Sequence, residues 1–193
     1  MKNMIVWVML FVLQVCNAQN TVKYGSYKMD NTNKNYSIFI NYNNDKNINK
    51  ILINVESTDP IFKESSFVLD KIGLLKFNAY LAFLYSKQAE WDLINISNKT
   101  KDVVKKIEWD EEITVDCSYT DGPIKIDTPI HSTYVFMNGS SSIDFGTSNF
   151  DLVKRARIFF LNKILLAKLM DKLDLNKIKS FIDNDYKKKS LLK

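Results

Sequence analysis

The chain has 193 residues, 46% of them hydrophobic and 25% charged, with a formal net charge of +5. That balance excludes a disordered polymer, and 5 Gly and 3 Pro leave little material for a flexible linker, so one folded domain over 19–193 is expected. Scarce glycine also excludes the glycine-rich phosphate loops of nucleotide enzymes, and a single histidine excludes a zinc site built on several imidazoles.

Residues 1–18 read as a cleaved signal peptide. Lys2 is the positive flank, 4–15 is an apolar run, and Cys16-Asn17-Ala18 puts small residues where a signal peptidase reads. Export to a bacterial periplasm or to the medium is the resulting expectation. Acylation of Cys16 is the weaker alternative, because Val15 stands where lipoprotein sites want a small residue. Without residues 1–18, Cys117 is the only cysteine, so no internal disulfide is expected.

The domain opens with a meander. Val22, Tyr24, Tyr27 and Met29 mark a first strand with a bulge at Gly25; Tyr36, Ile38, Ile40 and Tyr42 mark a second; Ile48 to Val55 forms a third. Asn-rich turns at 30–34 and 43–47 join them. A short strand at 67–69 leads to Asp70, which caps a helix to about Glu90, with Leu74, Phe77, Leu81, Leu84, Gln88 and Trp91 on one stripe.

Residues 93–96 are expected as a strand and 101–107 as a short helix. Ile113, Val115, Cys117 and Tyr119 alternate as a strand, which makes Cys117 a small apolar residue on its inner face. Brief strands follow at 124–126, 133–137 and 143–145, with Asn138-Gly139 as a hairpin turn.

Residues 149–173 are expected to form a long buried helix started by Ser148 and Asp151. Lys154, Arg155, Arg157, Lys163 and Lys168 interrupt it too often for a membrane span. Asp174 caps a final helix striped by Leu175, Ile178, Phe181 and Ile182, and 187–193 is expected as a frayed basic tail. Strands and helices come in blocks, which predicts an α+β fold. Its mainly antiparallel sheet packs against two long apolar helices, with a short C-terminal amphipathic helix.

Chemistry is thinner. His131 could serve a nucleophile, but no Gly-x-Ser-x-Gly elbow accompanies it. The acidic stretch 108–127 holds Glu108, Asp110, Glu111, Glu112, Asp116, Asp121 and Asp127, and a pair of such carboxylates could run glycoside hydrolysis. Trp91 and Trp109 could offer aromatic contact area to a sugar or a protein. From Asp151 onward 12 Lys+Arg face 5 Asp+Glu, and Arg155 and Arg157 within this stretch could meet an anionic partner.

No metal, cofactor or nucleic acid is implied, and no catalytic residue is assigned. The leading expectation is an exported, non-catalytic module that binds a protein partner in the bacterial envelope, of inhibitor or toxin-neutralising type. A hydrolase of envelope glycan or lipid acting through 108–127, and a peripheral binder of anionic envelope surface, are the alternatives.

Overall fold

The computed structural model describes residues 20–29, 34–57, 64–119, 125–147 and 156–191. Strands β1 (Asn20–Lys28), β2 (Asn35–Tyr42) and β3 (Ile48–Ser57) form the expected meander, and β1 shifts register between Lys23 and Gly25, where the bulge was expected. Strand β4 (Glu64–Leu69) runs into helix α1 (Lys71–Ser97). Asp70 caps that helix by accepting from the Gly73 N–H at 2.6 Å. Strands β5 (Asp102–Ile107), β6 (Thr114–Tyr119), β7 (Lys125–Met137), β8 (Ser140–Thr147) and β9 (Ala156–Leu161) follow, then helices α2 (Lys163–Lys172) and α3 (Leu175–Ser190).

Every strand pairing is antiparallel, in the order β1-β2-β3-β4-β6-β7-β8-β9, with β5 on β7. Strand β9 also pairs with β3, through Glu56–Arg157 and Ser57–Ala156. This last contact closes β3, β4, β6, β7, β8 and β9 into a ring and protects edges that would otherwise template aggregation. Helix α1 lies against β3, β4, β7 and β8. Phe77 meets Phe67 and Phe145 edge-on at 6.1 and 6.0 Å, so the ring's inner face and the helix share one core. Leu74, Phe77, Leu81 and Leu84 are completely buried. Each contributes about 1.5–3 kcal/mol by leaving water.

The α+β class and the large antiparallel sheet are as expected; the pair of long apolar helices is not. The long helix expected over 149–173 is in part a strand. Ala156 and Ile158 are buried while Arg157 and Phe159 are half-buried, a period of two that pairs with β8 and β3, and a register shift against β8 then brings Leu161 inward. Helix α2 begins only at Lys163, capped by Asn162, whose side chain accepts from the Leu165 N–H. Ser148, Asp151 and Arg155 lie outside the described residues.

Four further expectations change. Residues 93–96 form the last turn of α1 rather than a strand; Asn95 in that turn donates to the Trp91 carbonyl and the Tyr134 hydroxyl, which holds the helix down. Residues 102–107 are a strand, not a helix, because their whole length pairs with β7 and sinks Ile107 into the core. Residues 125–126 and 133–137, expected in two brief strands, belong to one 13-residue strand, β7, which lends one edge to β6 and then to β5; Ile124 lies outside the described residues. Helix α3 continues to Ser190, so Lys187–Lys189 are helical rather than frayed. The Asn138-Gly139 hairpin stands as expected, with φ of 52° and 77°. Among the described residues no helix is long and apolar enough to cross a membrane.

Candidate functional site

Strand alternation sends Cys117 and His131 to opposite faces. Cys117 is fully buried and pairs with Phe67 on the inner face, whereas His131 is exposed on the outer face, so the imidazole cannot activate that thiol. His131 instead sits in a cross-strand row. It faces Gly146 on β8, and Gly146 faces Arg157 on β9. Two strand spacings separate the backbones of His131 and Arg157 by about 10 Å.

Because the middle member of the row has no side chain, the imidazole and the guanidinium border a groove of about 280 Å³, lined also by Thr133, Asp144 and Thr147. The Arg157 guanidinium lies over the Phe159 ring, 4.7 Å from its centroid. Thus two of the expected site residues, 26 positions apart in sequence, are brought together. Such a groove can hold a polar or anionic group, but it offers no activated nucleophile.

The aromatic candidates serve packing. Trp91 is half-buried edge-on to Tyr134 at 5.3 Å, with the Lys105 ammonium 4.2 Å from its ring centre. Trp109 closes over α1 against Phe83 and Tyr80, at 4.4 and 5.5 Å. On the meander Tyr27, Tyr36 and Tyr42 are buried, and Tyr24 packs edge-on to Phe181. No exposed aromatic row is available to stack on a sugar among the described residues.

Among the described residues the carboxylates of 108–127 only partly converge; Asp121 lies outside them. Glu108, Asp110, Glu111 and Glu112 are exposed. Asp116 and Asp127 border a groove of about 310 Å³ together with Asp70, Lys50 and Lys76. Within it Asp116 accepts from the Asp127 N–H at 3.1 Å, which supports the left-handed backbone of Asp127 at φ 49°, and Asp70 is committed to its cap. Among the described residues no three metal-ligating side chains of the His, Cys, Asp or Glu kind come together.

A cationic site that the sequence does not single out lies between β1 and α2. Lys28, Lys168 and Lys172 surround a cleft of about 270 Å³ whose other lining is Ser26, Tyr27, Asn35 and Leu165. Lys172 reaches across the β1 bulge, its Nζ 3.7 Å from where a Gly25 Cβ would stand. Basic residues elsewhere on the C-terminal helices and the β2–β3 turn are neutralised: Lys46 pairs with Asp183 at 2.9 Å, Lys189 with Asp185 at 2.8 Å, and Lys177 with Asp171. Lys28, Lys168 and Lys172 form no ion pair among the described residues.

Only tertiary docking brings Lys28 within reach of α2, 140 positions away, so no spacing in the sequence could reveal this cleft. No protein-family model matches the chain, and neither any curated protein nor any solved structure matches it.

Proposed function

We propose that the protein is an exported, non-catalytic module of the bacterial envelope that binds an acidic segment of a protein partner, as an inhibitor or neutralising protein would. The observation that carries this reading is the cleft of Lys28, Lys168 and Lys172, three ammonium groups without carboxylate partners among the described residues, around a floor of Tyr27 and Leu165. Buried apolar contact supplies affinity there, and the ammonium groups choose the sign of the partner and speed its approach. The first 18 residues, with their short apolar run before Cys16-Asn17-Ala18, support export.

A protein segment fits better than a lipid surface. Three lysines near an anionic leaflet contribute about 1 kcal/mol each. The total of about 3 kcal/mol falls short of even a millimolar affinity, which takes about 4 kcal/mol. A concave cleft also suits a protruding side chain better than a flat bilayer.

The test compares wild type with Lys168→Glu/Lys172→Glu in crosslinking and mass spectrometry on envelope extracts, beside sedimentation with anionic vesicles. A protein captured by wild type and lost with the variant is expected. Identical capture by both removes the cleft as the binding site, and charge-dependent binding to vesicles alone replaces the protein partner with a membrane.

A further inference from the structure

Helix α1 is apolar on both sides. Leu74, Phe77, Leu81, Leu84 and Gln88 face the core, yet the opposite side carries Ile72, Leu75, Leu93 and Ile96, between 50% and 69% exposed. Between these pairs stand Ala79, Ala82 and Ser86, exposed, and Ala89, half-buried. The eight positions recur at alternating intervals of three and four, the a/d seam of a coiled coil, over a helix about 40 Å long. A helix that is apolar all round belongs in an interior, and in this chain half of the circumference faces outward.

The seam reads the same from either end. About Leu84 as centre, Ile72 mirrors Ile96, Leu75 mirrors Leu93, Ala79 mirrors Ala89, and Ala82 mirrors Ser86. We propose that α1 pairs antiparallel with α1 of a second copy of this chain, across a twofold axis beside Leu84. Only an isologous contact places each residue against its mirror, and a twofold dimer requires it.

The small residues then meet at the centre, where they let the axes approach at the short end of the 8–10 Å range, and the Ile and Leu pairs close the two ends. Charge selects the same orientation. Exposed Lys76 lies on the flank of the seam, and antiparallel pairing puts it on the same flank as Glu90 of the second copy, about 3 Å apart along the axis. Among the described residues Glu90 pairs only with the half-buried Lys87, at 2.8 Å, and its own side chain is half exposed, so its carboxylate is accessible. A parallel pair would instead bring Lys71 of one copy beside Lys76 of the other, and like charges at these flanking positions oppose pairing.

The experiment is sedimentation velocity across a concentration series, with thermal unfolding alongside. Wild type is expected to dimerise. Ala82→Arg, at an exposed position, is expected to remain monomeric, and to unfold as wild type does at concentrations low enough for wild type to be monomeric too. Lys76→Glu should weaken dimerisation by about fivefold to tenfold, and Lys76→Glu/Glu90→Lys should restore it. Orientation is read by oxidative crosslinking in a Cys16→Ala background. Ile72→Cys/Ile96→Cys should link two chains, and Ile72→Cys alone should not. A wild-type monomer up to about 1 mM, a dimer indifferent to Ala82→Arg, or crosslinking of Ile72→Cys alone overturns the proposal.

Discussion

Gly146 on β8 and Arg157 on β9 approach so closely that no Cβ fits on the glycine. One built there would stand 2.6 Å from the Arg157 Cβ and 2.6 Å from the Ala156 carbonyl oxygen. Both are fixed parts of the neighbouring strand, so relief requires the β8–β9 seam to open. Arg157 and Ala156 also pair with β3, so opening that seam strains the closure of the ring. Gly146→Ala is therefore expected to destabilise by about 1–3 kcal/mol, as overpacking does. Urea denaturation measures it, and a loss below about 0.5 kcal/mol would show that the seam gives way freely.

Gly139 tests the other reason for a glycine. Nothing lies within 4 Å of a Cβ there, but φ is +77° in the β7–β8 turn. Gly139→Ala meets no atom and bears only the backbone cost, about 1 kcal/mol. Asn138, at φ 52°, is of the residue type that tolerates the left-handed region best after glycine. If Gly139→Ala proved more damaging than Gly146→Ala in the same denaturation assay, the distinction between space and backbone angle would fail.

Two tyrosines set an alkaline limit. Burial pushes the Tyr80 hydroxyl up to about 12; burial, and then its hydrogen bond to Asp92 at 2.8 Å, does the same to Tyr134. In the unfolded chain both ionise near 10. Their folded values are raised, so the stability they confer is complete below pH 10 and is lost as pH rises toward 12. The denaturation midpoint should fall across that window, and the phenolate absorbance of these two residues should rise together with unfolding. Phenolate formation at Tyr80 and Tyr134 near pH 10 in the folded protein would contradict this.

Local chemistry made much of the fold legible. Asp70 and Asp174 announce helix starts because a short carboxylate satisfies free N–H groups; Asn138-Gly139 announces a hairpin because both accept positive φ. The stretch 156–161 misled because its apolar residues also fit a helical stripe, and only pairing with β8 and β3 shows which period prevails. Residues 101–107 misled similarly, since the partner that makes them a strand lies some 30 positions on, in β7. Of the site, His131 and Arg157 could be named singly, but their meeting over Gly146 depends on strand register. The cleft of Lys28, Lys168 and Lys172 depends on docking α2 against β1. Single residues are readable in a sequence; a convergence built by long-range pairing is not.

The last turns of α3 are tied to the sheet by Asp185, which accepts from Lys189 at 2.8 Å and from the Tyr42 hydroxyl on β2. Burial alone would raise the Asp185 carboxyl, but the hydrogen bonds from Lys189 and Tyr42 prevail and hold it below its usual value of 3.8. The sign for stability follows from that depression. The contribution is complete above about pH 4, where the unfolded carboxyl is also ionised, and is lost as pH falls through the lower folded value. Because Lys189 is part-exposed, solvent screens the interaction, and Asp185→Asn should cost about 1 kcal/mol at neutral pH. The same variant should lose less stability than wild type between pH 4 and pH 2, since it has no carboxylate left to protonate there. Parallel acid limbs for the two proteins, measured by urea denaturation at each pH, would mean that this carboxylate does not anchor α3.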